Sequence, residues 1–345
     1  MNRVSGRTAA VEPMDGGTGR AGARRGRGTR AAVLAAGALL LGAFALPGSS
    51  AAEARSDGLS STPVRIAPAL APAAAPCTKE TLNTSLTPSA SDSGADVQRI
   101  IKRGKLIAGI DTNSYQWGFR NPTDGSLQGF DIDLVHALAK SILGDPDAVE
   151  FLAVPTANRV LALQKGQVDV VVRTMTITCA RLQQVSFSVP YFNAGQEVVA
   201  PKSSTVTGFN ATLKGKKVCA ATGSTAEDML KDPAHGAAHL GATVFPVANQ
   251  LDCLVQMQLG NVDATITDNA LGAGQVAQDP TIHLVGGPLD QEVYGVAMKL
   301  GANDLVRRVN YVLQGYFTSQ WSAEYQHWLT ALGSTPAPPV PHFAQ

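Results

Sequence analysis

From about residue 95 onward, short apolar runs of strand length alternate with stretches whose apolar residues recur at helical spacing. Residues 96–104 have the helical pattern and close on a glycine, and residues 105–110 follow as a strand that ends at Asp111. Residues 129–140 predict a helix with Asp131 and Asp133 well placed in its first turn. A second strand follows at 150–154 and a second helix at 158–163, ending at Gly166. The apolar run from Val168 is a third strand. It turns polar at Arg173-Thr174, with Thr174 and Thr176 on one face by the two-residue period, and ends at Thr178-Cys179-Ala180-Arg181, where Thr178 can cap a new helix. Strand, helix, strand, helix, strand implies a parallel sheet with its ligand crevice at the carboxyl ends of the strands.

The pattern then recurs. Residues 216–221 form a strand, Thr222-Gly223-Ser224-Thr225-Ala226-Glu227 a turn that starts a helix, 243–246 a short strand, 249–259 a helix closed by Gly260, and 262–267 a strand ending at Asp268. Leu163-Gln164-Lys165-Gly166-Gln167-Val168-Asp169-Val170 has its counterpart in Leu259-Gly260-Asn261-Val262-Asp263-Ala264. Two similar α/β lobes result. Residues 292–299 predict a strand leaving the second lobe, 303–316 and 321–332 helices, and extended segments at 196–202 and 292–299 a two-strand hinge. The division is a first lobe at 95–198 and 293–335, a second at 199–292, and a Pro-rich tail at 336–345.

The residues ahead of this body have a different character. Seven arginines against Glu12 and Asp15 precede Ala31, so the rest of the chain carries a net charge of −4 beneath the overall +1. A mildly acidic body argues against nucleic-acid binding. The basic start, the Ala/Leu/Gly-rich run at 31–46 and small residues at Ala52 and Ala54 make residues 1–54 a secretory signal peptide. Residues 55–94, rich in Ala, Pro, Ser and Thr, read as an extended, mobile linker. In an exported chain the even set Cys77, Cys179, Cys219 and Cys253 implies disulfides. Three complete pairings exist; Cys219 with Cys253 and Cys77 with Cys179 keeps each bridge within one lobe.

Hydroxyls, free N–H groups and a guanidinium meet where the third strand ends, a combination suited to a carboxylate. The motif order resembles that of the bacterial extracellular solute-binding proteins of family 3, which serve ABC importers of polar amino acids, and is nearest the actinobacterial glutamine- or glutamate-binding members. The resemblance covers about residues 95–332. It rests on Gly129-Phe130-Asp131-Ile132-Asp133-Leu134, Asn158-Arg159, Thr176-Ile177-Thr178 with Arg181, Phe187-Ser188 with Pro190-Tyr191, Gly223-Ser224-Thr225, and Val262-Asp263-Ala264 with Asp268. It implies a two-lobed periplasmic-binding-protein-like fold of type II, each lobe a mostly parallel sheet flanked by helices, that closes about its hinge on an amino acid.

By the same resemblance, Arg181 takes the α-carboxylate with Thr174, Thr176 and Thr225, Asp268 takes the α-ammonium, and an aromatic among Tyr115, Trp117 and Phe119 covers the ligand. Arg159 stands where members binding acidic amino acids meet the side-chain carboxylate, and Arg173 adds a further guanidinium. Three guanidiniums against Asp268 favour glutamate or aspartate over glutamine. No cofactor or metal is implied. The expected partners are an amino acid and the membrane permease, with the binding protein itself a monomer. No nucleophile–base or metal-ligand motif is present, and the six histidines fall outside the cleft motifs. Two other readings share the architecture: a dehydratase-type enzyme, and a sensory module presenting to a membrane receptor kinase.

Overall fold

The alternating apolar runs and amphipathic stretches become two five-stranded sheets built on one plan. A computed structural model describes residues 77–344; the expected signal peptide and the linker up to residue 76 lie outside the described residues. In the first sheet Val149–Ala153, Leu106–Ile110 and Val170–Val171 run parallel, and Glu292–Lys299 and Val185–Ala194 complete it antiparallel. In the second sheet Thr243–Val247, Lys217–Ala221 and Ala264–Asp268 are parallel, followed by Gln196–Pro201 and Ile282–Val285 antiparallel. The twice-occurring helix-glycine-strand unit supplies the third parallel strand of each. Glycine stops are explicit: Gly104, at φ 72°, ends the helix Ala95–Arg103 by donating its N–H to the Ile100 and Ile101 carbonyls.

The first sheet is buried by the helices Ala95–Arg103, Phe130–Leu143, Asn303–Ser319 and Trp321–Trp328 over an aromatic core that includes Trp117, Phe130, Tyr191, Phe192, Tyr294 and Trp321. The second sheet packs smaller residues, among them Val198, Val218, Ala220, Leu230 and Ile266. Both disulfides form as expected, Cys77 with Cys179 and Cys219 with Cys253.

Three expectations need correction. Residues 77–94 are not extended spacer: Lys79–Asn83 is a helix, and Thr84–Leu86 pairs in parallel with His342–Ala344 from the Pro-rich tail. The Cys77 bridge and the Asn310 side chain, donating to the Ser85 hydroxyl and the Leu86 carbonyl, hold this segment on the first lobe. The lobe boundaries move, because Gln196–Pro201 lies wholly in the second sheet and Glu292–Lys299 wholly in the first, so the second lobe starts at Gln196 and not at residue 199. The chain crosses at Gly195 and again just before Glu292. The crossings touch there: Gln196 N–H donates to Asp290 Oδ1 (2.7 Å), and Leu289 N–H to the Gln196 carbonyl (2.8 Å). Finally, the third strand covers only Val170–Val171 and Thr174 has φ 41°, so a turn, not strand alternation, orients Thr174 and Thr176.

Candidate functional site

The carboxyl ends of the parallel strands face each other across one cavity. Arg159, Thr174, Thr176 and Arg181 line it from the first lobe, and Ser224, Thr225, Gln250, Thr267 and Asp268 from the second. Each is delivered by a local feature. Thr178 caps the one-turn helix Cys179–Leu182, its Oγ1 accepting the Arg181 N–H at 3.2 Å. The chain turns through Thr156–Asn158 before the helix Arg159–Gln164, and Arg159 Nε donates back to the Thr156 carbonyl (2.9 Å). Ser224 caps the helix that begins at Thr225. Asp268 ends its strand.

The guanidiniums span the cleft. Arg181 donates to the Thr176 carbonyl (2.8 Å) and to the Gly223 carbonyl of the opposite lobe (3.0 Å); Arg159 reaches the same Gly223 oxygen at 3.2 Å. Gly223 is held at φ 77° with Ala157 so close that a Cβ would lie 2.8 Å from its Cα, a separation only glycine permits. Burial disfavours both cations and lowers their pKa values, Arg159 further through repulsion from Arg181 and Arg173, yet guanidinium is so weak an acid that each stays charged.

Carboxylates occupy the other side. Asp268 accepts from Tyr294 Oη (2.5 Å) and from Gln196 Nε2. Burial and the nearby Glu292 push its pKa up, and burial does the same for Glu292. Glu292 Oε2 accepts from Thr176 Oγ1 (2.6 Å) and Thr225 Oγ1 (3.2 Å), joining one lobe to the other.

Six of the expected residues therefore meet: Arg159, Thr174, Thr176, Arg181, Thr225 and Asp268. Arg173 does not join them. It is fully buried behind the cavity, paired with Asp111 at 3.0 Å and donating to Thr156 Oγ1 and Asn249 Oδ1. Trp117 is also elsewhere, fully buried against Phe130, Phe192 and Tyr294 with its indole N–H on the Ala270 carbonyl (3.1 Å). Tyr115 and Phe119 pack edge to face, and Tyr115 faces Leu271 and Gln275 beside the cavity, not in it. A loop of three aromatics signals burial as readily as ligand stacking, and here the core takes the largest ring. Glu292, Gln196 and Tyr294 went unnoticed because each reads as an ordinary strand residue. No metal-ligand cluster is found among the described residues.

Known proteins resemble this chain over most of its length. The chain is 33% identical over 240 residues to the "ABC transporter glutamine-binding protein GlnH" of Bacillus subtilis, covering 69% of this chain and 86% of the relative. It is 26% identical over 251 residues to the "Glutamate-binding protein GluB" of Corynebacterium efficiens, covering 70% and 82%. A solved structure, "An ancestral arginine-binding protein bound to glutamine", superposes with a TM-score of 0.60 at 36% identity, covering 66% of this chain and 98% of that one. These are binding proteins, not enzymes. The family model for bacterial extracellular solute-binding proteins, family 3, matches residues 106–331, and to that family this chain belongs.

Proposed function

We propose that this protein is the extracytoplasmic binding component of an ABC amino-acid importer, a monomer that closes on one polar amino acid and presents it to a membrane permease. The observation that carries this reading is the pairing, across one cavity, of Arg159 and Arg181 from one lobe with Thr225 and Asp268 from the other. A buried zwitterion needs both its charges met. Arg181, Thr176 and Thr225 receive the α-carboxylate, Asp268 receives the α-ammonium, and Arg159 faces the side-chain oxygen.

Charge balance favours a neutral side chain. Arg173 is already compensated by Asp111, and Glu292 joins Asp268, so two guanidiniums face two acids where the sequence counted three against one. A ligand of zero net charge suits that balance, which places glutamine ahead of glutamate and aspartate. Charge-assisted hydrogen bonds of roughly 1.5–3 kcal/mol each make micromolar affinity, about −8 kcal/mol, accessible after the cost of closure.

Calorimetric titration of the refolded protein, freed of any carried ligand, with glutamine, glutamate, aspartate and asparagine tests this. Glutamine is expected to bind most tightly. Preference for the acids would overturn the charge balance while keeping the site, and no binding by any of the four would overturn the amino-acid reading.

A further inference from the structure

Gln196 and Asp268 stand directly opposite in the antiparallel pairing of Gln196–Pro201 with Ala264–Asp268, so their side chains share one face of the sheet. Gln196 is fully buried. Its Nε2 donates to Asp268 Oδ1 and, at 3.0 Å, to Thr225 Oγ1, which commits both amide protons to residues that line the cavity. Its Oε1 is buried with no protein partner among the described residues. An amide that leaves its acceptor unpaired is oriented by its donors; turned over, it would set an oxygen against the Asp268 carboxylate. The backbone of Gln196 is fixed from the other crossing, its N–H donating to Asp290 Oδ1 (2.7 Å) and its carbonyl accepting from the Leu289 N–H (2.8 Å). Gln196, Thr225 and Asp268 all belong to the second lobe, so their arrangement does not depend on how far the cleft is open.

We infer that Gln196 is a positioning residue for the ammonium subsite: its amide aims the Asp268 carboxylate at the cavity and supplies a donor to its charged form from within the same lobe. This deepens the proposed function and rests on it for the identity of the ammonium. A carboxylate pairs with a cation only while it is ionised, and the groups around Asp268 pull both ways. Burial and Glu292 favour the neutral acid, whereas the Tyr294 hydroxyl (2.5 Å), the Gln196 amide and the guanidiniums of Arg159 and Arg181 favour the anion. Glu292, Tyr294, Arg159 and Arg181 come from the first lobe. Among the described residues, Gln196 is the donor that reaches this carboxylate from its own side of the cleft. Each carboxylate oxygen keeps a second lone pair, so these bonds leave room for an ammonium.

Gln196→Met, similar in length but without donors, keeps both backbone bonds and tests the inference in the whole protein. Glutamine affinity is measured against pH for the wild type and the variant. Loss of the donor favours the neutral acid, so the pH at which affinity falls away should move up by roughly one unit. That is a roughly tenfold weaker Kd on the acid side, narrowing as pH rises. A loss of equal size at every pH, or no loss, overturns the inference. If Gln196→Met does not fold, Gln196→Glu, which keeps the shape and replaces the donors by acceptors, takes its place and must move the profile in the same direction. The carboxyl carbon resonance of Asp268 in NMR, assigned by its disappearance in Asp268→Asn, follows the same titration without ligand and should shift to higher pH in the variant. Failure of the amino-acid reading looks different: glutamine then binds neither protein. The resonance still decides in that case, since an unmoved Asp268 titration overturns the role of Gln196 whatever the ligand.

Discussion

The two lobes share one strand plan and differ in how they are held. The first surrounds its sheet with interlocking aromatics: Trp117 lies 4.7 Å from Phe192 and 5.5 Å from Phe130, centroid to centroid, and Phe192 stacks on Tyr325 at 6.2 Å. The second is filled largely by Val, Ala and Leu, and a disulfide ties its strand Lys217–Ala221 to its helix Gln250–Gln258. The cleft follows the same division. Buried guanidiniums, costly to position, are built on the aromatic lobe. The stapled lobe offers hydroxyls, a peptide carbonyl and one carboxylate, groups that tolerate approach and retreat. Large aromatic contacts bury much area per residue; the second lobe instead links two of its core elements by a disulfide, whereas the first lobe's Cys77–Cys179 bridge ties down the segment ahead of its body.

The sharpest way to break this comparison is to remove an anchor from the first lobe. Trp117→Ala should cost about 4 kcal/mol in denaturant unfolding, as large-to-small aromatic substitutions in cores do; a stable variant with only weakened ligand binding would return Trp117 to the cover role. Replacing Cys219 and Cys253 together by alanine should cost the second lobe roughly 3–4 kcal/mol, because the bridge closes a loop of 34 residues. Hydrogen exchange should localise that loss to the second sheet, and loss spread evenly over both lobes would count against separate anchoring.

Within the cleft, Arg181→Ala should weaken amino-acid binding by about 100-fold in calorimetry, since it removes charge-assisted bonds and leaves a buried ligand charge unpaired. Gly223→Ala should weaken binding by about tenfold through obstructed closure and strain at positive φ, with a smaller loss of stability; full affinity would show that the lobes need not approach at Ala157. The smallest effect concerns pH. Burial raises the Asp131 carboxyl from 3.8 to about 7 despite hydrogen bonds from Tyr191 and the Thr174 N–H that pull the other way. The folded form then holds this proton more tightly than the unfolded chain, so its contribution is complete below about 4 and is lost as pH rises through about 7. Asp131→Asn should flatten stability against pH across that window.

Most elements were legible because their burial pattern is local. Periodicity and terminal glycines marked the helix Ala95–Arg103, the helix Gln250–Gln258 and the parallel strands. Several elements escaped, and two of them show why. The strand Val185–Ala194 contains Pro190, which argues against a central strand, and it lies at the sheet edge beside the irregular pairing at Gly295. The helix Asn269–Gln278 contains Gly272 and Gly274, poor helix formers; Gly274 passes so near the Tyr115 carbonyl that a Cβ would lie 2.7 Å from it. In the site, strand ends and helix starts placed Arg181, Thr225 and Asp268 at the carboxyl edge, and the family resemblance supplied their roles. The same signals could not separate Arg159, which faces the cavity, from Arg173, which does not.

The sequence by itself determined the α/β class and the repeated lobe, because these depend on spacings within a few turns or strands, and the order of its motifs, through their resemblance to a known family, pointed to the residues that line the cleft. Tertiary structure decided which charges are free to meet a ligand. Asp111 lies 62 positions from Arg173, and Thr176 lies 116 from Glu292, yet each pair is in hydrogen-bonding contact. The reason is physical: a buried charge takes the nearest partner in space, and spatial proximity is set only when both sheets, the two crossings and the closed cleft have formed.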